Sequence, residues 1–279
     1  MENLQIDRAH VQATFKEYVS HYNPENDKVA LKIAHTYRVA ELCDRIAESI
    51  GLAGNDRDIA WLLGMLHDVG RFEQVKRFDS FMDADTVDHA KFGADLLFGP
   101  EEGSNRLTEE ERAEGPLIES YVPGLLTHPE RAMIERAIRV HNDFRIPEGL
   151  SDRDAMFCHI IRDADKVDIF RINLDFPMEN IYNCTTEELK NNPVAAAVMQ
   201  AVDEEHCVLR SVRETAVDQI VGHICLTYEL VYPLSLRITM EQGYLDRLMN
   251  FASDNETARQ QFVHIREKLG QYIERKLKE

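Results

Sequence analysis

The residues best suited to chemistry in this chain are histidines and aspartates that recur at the apolar faces of helices. The chain has eleven histidines. His67 and Asp68 are adjacent, in Leu63-Gly64-Met65-Leu66-His67-Asp68-Val69-Gly70. His35 stands inside an apolar stripe formed by Leu31, Val39, Leu42 and Ile46. His89 is aligned with Phe92 and Leu96, His141 follows Ala137 and Ile138, and Asp165 comes four residues after Ile161. Imidazole and carboxylate side chains without thiolate suit Mn, Fe, Co, Ni or Zn, and Mg where carboxylate and water dominate. A carboxylate turned toward a core is costly unless it is paired, hydrogen-bonded or metal-bound. One divalent site accounts for all of these residues together. Taken singly each has a plainer reading, such as a hydrogen-bonded core histidine, or an Asp165 paired with Arg162 or Lys166.

Helices must position these groups. Apolar residues return with helical period over Val29–Ile50, with Gly51 as a C-terminal cap. The same pattern predicts helices over Asp58–Val69, Thr86–Phe98, Glu130–His141 and Arg153–Arg171, and later over Val194–Val212, Thr215–Val231 and from Asn255 to the end. Alternating strand patterns are absent, so the fold class is all-α. The glutamate-rich stretch Gly99–Pro116 reads as a solvated loop or loose helical insertion, and Phe176–Pro193 as irregular. The stretch from Arg71 to His89 reads as a loop walling the site, with Arg71, Gln74, Arg77, Phe81, Asp83 and Thr86 as its polar and aromatic members and at least two of Phe72, Phe78 and Phe81 plugging the core.

The order His35, then His67-Asp68, then Asp165, with the contexts His-x-x-Arg, Leu-His-Asp-Val-Gly and Asp-Ala-Asp-Lys, resembles the HD superfamily of metal-dependent phosphohydrolases. The resemblance spans about Ala30 to Ile169. It implies an HD-type helical bundle, taken over residues 1–175; residues 176–279 lie outside its motifs and read as a C-terminal helical extension packed on the bundle, or as part of one continuous domain with it. It implies one metal on His35, His67, Asp68 and Asp165, and a second on His89 and His141 with Asp68 bridging. Asn142 departs from members that carry a further histidine there. The reaction implied is hydrolysis of a phosphate ester of a nucleotide or other small phosphorylated metabolite. A bound divalent ion lowers the pKa of its water from ~15.7 toward ~7. Arg71 and Lys166 are the cations nominated to meet the phosphate, Arg71 because a guanidinium matches phosphate oxygens. Ion pairing of Arg71 with Asp85 or Asp88, and of Lys166 with Asp163, is the structural alternative. The same ligand set also occurs in di-iron oxygenases of similar fold, and a ligand-binding protein without catalysis is a third reading.

Composition narrows the partners. The 279 residues carry a formal net charge of −18. Neutralising nucleic-acid phosphates needs a basic face, so nucleic acid and anionic membranes are disfavoured, whereas a small phosphate at a metal is not. Five cysteines without a C-x-x-C pair argue for reduced thiols and a cytoplasmic setting. The start, Met1 to Asp7, is polar and lacks the form of a signal peptide. The stretch Ile220–Leu236 is too interrupted to span a membrane. Its Ile220, Ile224, Tyr228 and Val231 fall at helical spacing, as core or as the face of a homodimer.

Overall fold

The computed structural model describes residues 4–175, 177–182 and 184–278; Met1–Asn3, Phe176, Asn183 and Glu279 lie outside them. Among the described residues there is no strand, and the fold is all-α. By contacts the chain divides into Met1–Ala164 and Asp165–Glu279.

The first unit begins with α1 (Arg8–Ser20), a helix the periodicity did not single out. Asp7 caps it by accepting from the amides of Ala9 and His10. Next come α2 (Asp27–Ser49), capped by Asn26, and α3 (Asn55–Leu66). Gly51, at φ 84°, ends the α2 segment in the left-handed conformation expected of a cap. α3 is buried from Ile59 to Leu66, so it is the central helix of this unit. It crosses α2 at Gly64, where a Cβ would stand 2.5 Å from the Ala40 Cα. Truncating a core side chain such as Leu62 or Leu63 would cost ~2–5 kcal/mol.

Two sequence expectations change here. The segment Asp58–Val69 is not one helix. α3 stops at Leu66, His67 caps it, and Asp68 (φ −104°, ψ 16°) starts α4 (Val69–Phe78). Arg71 and Gln74 therefore lie on a helix, and only Asp79–Asp88 is a connecting segment, with a 3-10 turn at Asp83–Asp85. Of the three phenylalanines only Phe72 is fully buried; Phe78 is 46% exposed. α5 (His89–Phe98), capped by Asp88, follows. α4 and α5 meet backbone to backbone, since a Cβ on Gly70 would lie 2.5 Å from the His89 carbonyl oxygen.

The glutamate-rich stretch contains a short helix, α6 (Glu109–Glu114), closed by a reciprocal Thr108–Glu111 capping box. It is pinned rather than loose: Arg106 and Ser104 bind the buried Asp95, and Arg77 pairs with Glu111. α7 (Ile118–Tyr121) and α8 (Arg131–Arg139) lead to α9 (Asp152–Asp175), the helix in which the first unit ends.

The second unit opens on the remainder of α9 and continues through α10 (Met178–Tyr182), α11 (Thr186–Asn191), α12 (Ala196–Asp203), α13 (Ala216–Ile224), α14 (Pro233–Gln242), α15 (Tyr244–Met249) and α16 (Glu256–Lys276). Val198, Val202, Ile220, Ile224, Leu248, Phe262 and Leu269 belong to its core. The two helices predicted around residue 210 are shorter than expected. α12 ends at Asp203, and α13 tightens into a 3-10 turn over Cys225–Glu229. The helical stripe is thereby broken: Ile220 and Ile224 are core, while Val231 is 50% exposed. No helix of the described residues is long and apolar enough to cross a membrane.

Candidate metal centre

The break between α3 and α4 sets the centre. It turns His67 and the Asp68 carboxylate, both buried, toward the same interior point. α2 brings His35 there, α5 brings His89 in its first turn, and the end of α8 brings His141; all three are buried. His35 and His67 oppose their Nε2 atoms at 3.3 Å, and His89 and His141 oppose theirs at 3.1 Å. Asp68 divides its oxygens between the two pairs. Oδ2 is 3.4 Å from the Nε2 of both His35 and His67. Oδ1 is 3.5 Å from His89 Nε2 and 3.9 Å from His141 Nε2.

The proton positions follow from the partners. His67 Nδ1 is 2.8 Å from the Gly64 carbonyl oxygen, and His141 Nδ1 is 2.7 Å from that of Ile138. His89 Nδ1 is 2.6 Å from Asp83 Oδ2. A carbonyl or carboxylate oxygen only accepts, so each Nδ1 carries the proton and each Nε2 presents a lone pair. At His89 and His141 two lone pairs thus face each other. A shared cation would fit that arrangement. Two nitrogens on one ion at ~2.0–2.1 Å stand about 3 Å apart. Nδ1 protons held by backbone or carboxylate are also the usual outer support of metal-binding histidines.

Asp165 lies on α9 one residue past Ala164, in an unbroken run of helix. His35, His67 and Asp165 each offer a ligand atom within 4.8 Å of the others'. His67, Asp68 and His141 form a second such group, and Asp83, Asp88 and His89 a third. Lys166, next to Asp165, is buried.

Electrostatics are organised around two carboxylates. Burial by itself raises the Asp68 pKa, but the Lys32 ammonium and the imidazoles of His67 and His35 outweigh it and hold the carboxyl well below its usual range. Asp83 shows the same balance: burial raises it, and His89, Arg71 and Gln74 together lower it further. Burial and the Arg71 charge lower the pKa of His89 despite Asp83, which favours the neutral ring.

Arg71 does not pair with Asp85 or Asp88. Its Nη1 donates to Gln74 Oε1 at 2.7 Å, Asp83 Oδ1 at 2.8 Å and the Phe81 carbonyl at 2.9 Å. Its Nε is buried without a hydrogen-bond partner, 3.6 Å from Asp68 Oδ1. Asn142 donates to Asp83 Oδ2 at 3.3 Å and Asp88 Oδ1 at 3.2 Å, so it braces the carboxylate that holds His89. Arg162 donates to the carbonyls of Val140 and His141, fixing the chain where α8 ends.

Three residues here have a part that the sequence did not show. Lys32 stands one helical turn before His35, on the same face, which is the signal that could have found it. Asp83 was one member of a loop. Arg162 was only a partner for Asp165.

Residues 33–169 match the family model of the HD domain. The chain carries an HD domain. The match covers just under half the chain and takes in His35, His67, Asp68, His89, His141 and Asp165. HD domains are largely metal-dependent hydrolase domains, and the buried histidine and aspartate groups of this one fit a divalent metal. No curated protein and no solved structure matches the chain.

Proposed function

We propose that this HD domain is a metal-dependent phosphohydrolase acting on a nucleotide or another small phosphorylated metabolite, as a phosphatase or phosphodiesterase. The observation that carries the reading is Arg71. One guanidinium nitrogen is fixed by three acceptors, while its buried Nε has none and lies beside the carboxylate at the heart of the centre. A buried donor left unmet costs ~1–3 kcal/mol. A phosphate oxygen held next to Asp68 removes that cost and gains a charge-assisted hydrogen bond.

His35, His67, Asp68 and Asp165 are the proposed ligands of one ion, and His89 and His141 with Asp68 those of a second. When bound, a divalent ion supplies an acidified water and takes up charge on a phosphoryl oxygen. The chain's own part is positioning. Asp83 keeps the His89 proton on Nδ1, the Gly64 and Ile138 carbonyls do the same for His67 and His141, and the fixed guanidinium orients the phosphate. Lys166, adjacent to Asp165, is kept as a further cation. The net charge of −18 supports a small substrate over nucleic acid.

The test is a panel of phosphomonoesters and phosphodiesters with Mn, Co, Ni, Fe or Mg supplied. Expected is phosphate or monoester release that stops on chelation and returns with metal. Arg71→Ala should lower kcat/KM by ~10²–10³-fold with metal content unchanged. No turnover of any ester with any of these ions overturns the reading.

A further inference from the structure

Lys32 holds an unusual post. Its ammonium is 2.6 Å from Asp68 Oδ2, the oxygen that faces His35 and His67. The side chain is only 11% exposed and that of Asp68 only 2%. The ammonium also lies 5.5 Å from the centroid of the Phe81 ring, and the Arg71 guanidinium lies 5.5 Å from the same centroid. Two cations thus flank Asp68, one near each oxygen, and both are shelved on one aromatic ring. The shelf is held in place by the Phe81 carbonyl accepting from Arg71.

Asp68 Oδ2 is also the oxygen an ion on His35 and His67 would take. Ammonium and metal therefore compete for one buried atom. A buried carboxylate must have a counter-charge. Without metal the lysine provides it; with metal it is displaced, and its stem tethers it within reach of the Phe81 shelf and Arg71. A compact ammonium with rotatable donors suits such an exchange, which a rigid guanidinium does not.

We propose that Lys32 is an exchangeable counter-ion: it neutralises Asp68 in the metal-free centre, yields it to the metal, and then joins Arg71 in binding the substrate's phosphate. The last step rests on the phosphohydrolase reading; the exchange does not.

The test uses the full-length protein as wild type, Lys32→Met and Lys32→Arg. It measures melting with and without Mn²⁺, calorimetric Mn²⁺ affinity, and binding of inorganic phosphate to the loaded protein. Metal-free Lys32→Met should melt lower by on the order of 5 °C, because the Asp68 charge loses the nearer of its two flanking cations. The loaded forms should melt alike. By the thermodynamic cycle, Mn²⁺ should bind Lys32→Met about tenfold tighter. Phosphate should bind loaded Lys32→Met about tenfold more weakly, with Lys32→Arg restoring most of the loss. An equal drop in melting with and without metal, or unchanged Mn²⁺ affinity, overturns the exchange and makes Lys32 merely structural. Normal exchange with unchanged phosphate affinity overturns the phosphate role. None of these measurements needs turnover, so a protein that hydrolyses no ester still passes or fails them.

Discussion

Replacing Asp83 with asparagine probes the centre through a residue that is not among its proposed ligands. Both Asp83 oxygens accept: Oδ1 from Arg71 at 2.8 Å and Gln74 at 3.0 Å, Oδ2 from His89 at 2.6 Å and Asn142 at 3.3 Å. Asparagine keeps the shape but offers one acceptor and one donor. Its amide nitrogen must face either the Arg71 pair or the His89 pair. Arginine has no acceptor, whereas a neutral imidazole can exchange its tautomer. The asparagine therefore turns its nitrogen to His89, whose proton moves from Nδ1 to Nε2. Asn142 keeps its bond to Asp88 Oδ1 and loses only the longer one to residue 83.

The consequence is opposite in the two states of the protein. Without metal, the new Nε2 proton of His89 points at the His141 lone pair 3.1 Å away and forms a hydrogen bond. Melting of metal-free protein should hold within about 2 °C. With metal, that proton occupies the position the ion needs. Loss of such outer support costs ~10–100-fold in affinity, about 1.4–2.8 kcal/mol. The loss should fall on the His89–His141 pair alone, since the His67 proton is held by Gly64. Calorimetric titration with Mn²⁺ or Co²⁺ should show one of two binding events weakened, and ¹⁵N spectra of the imidazoles should show the His89 proton on Nε2. Unchanged affinity at both pairs, or equal loss at both, would refute the tautomer argument.

Three other perturbations test separate parts of the structure. Gly70→Ala places a Cβ 2.5 Å from the His89 carbonyl oxygen and 2.6 Å from the Gly93 nitrogen, so α4 and α5 must separate; chemical denaturation should show a loss of ~2–4 kcal/mol, with weakened metal binding. Asp95→Ala removes the buried carboxylate that Arg106 and Arg139 share, leaving Arg106 with Glu101 and Arg139 with Glu101 and Glu135; loss of these hydrogen bonds should cost ~1–3 kcal/mol, read by the same method. In the second unit, burial and then repulsion by Arg213 and Arg210 lower the His223 pKa to about 3. The unfolded ring binds its proton near pH 6.5 and the folded ring does not, so stability falls as pH drops from ~6.5 toward 3, by at most ~1.4 kcal/mol per unit. His223→Gln should flatten this slope in denaturation measured at pH 7, 6, 5 and 4, and an unchanged slope would sink the assignment.

The parts of the centre legible in the sequence are those that helical phase controls. His35, His89 and His141 each sit one turn from core residues of their own helix, so the burial of Val39, Phe92 and Ile138 settles which way they face. The break at His67-Asp68 was not legible, because the apolar run Leu62–Met65, Leu66, Val69 continues the helical period across it. The new helix direction is the one that lets α4 meet α5 closely at Gly70, a contact with a segment about twenty residues on that local periodicity does not show. α4 read as a loop for a related reason. Its large buried apolar residues are only Val69, Phe72 and Val75, polar Arg71 and Gln74 are buried beside them, and its charged residues Arg71, Glu73 and Arg77 pair with one another or with distant groups.

The outer supports follow a different logic. Lys32, Asp83 and Arg162 act across sequence separations of 36, 6 and about 20 residues, on Asp68, His89 and the end of α8. A lysine on a helix or an aspartate in a turn reads as a solvated charge until its partner is located, since either is far more often exposed than buried. Yet these residues are the direct partners of the proposed ligands. Asp83 accepts at Nδ1 of His89, which places the ring proton there, and Lys32 is the nearest cation to Asp68. A protein that kept the histidines and both ligand aspartates but carried methionine at 32 and asparagine at 83 would still present the His–Asp pattern. By the arguments above it would bind one metal too tightly and the other too weakly. The His–Asp order alone therefore carries the fold and the proposed ligand set, while the surroundings of that set depend on residues whose partners only the folded chain reveals.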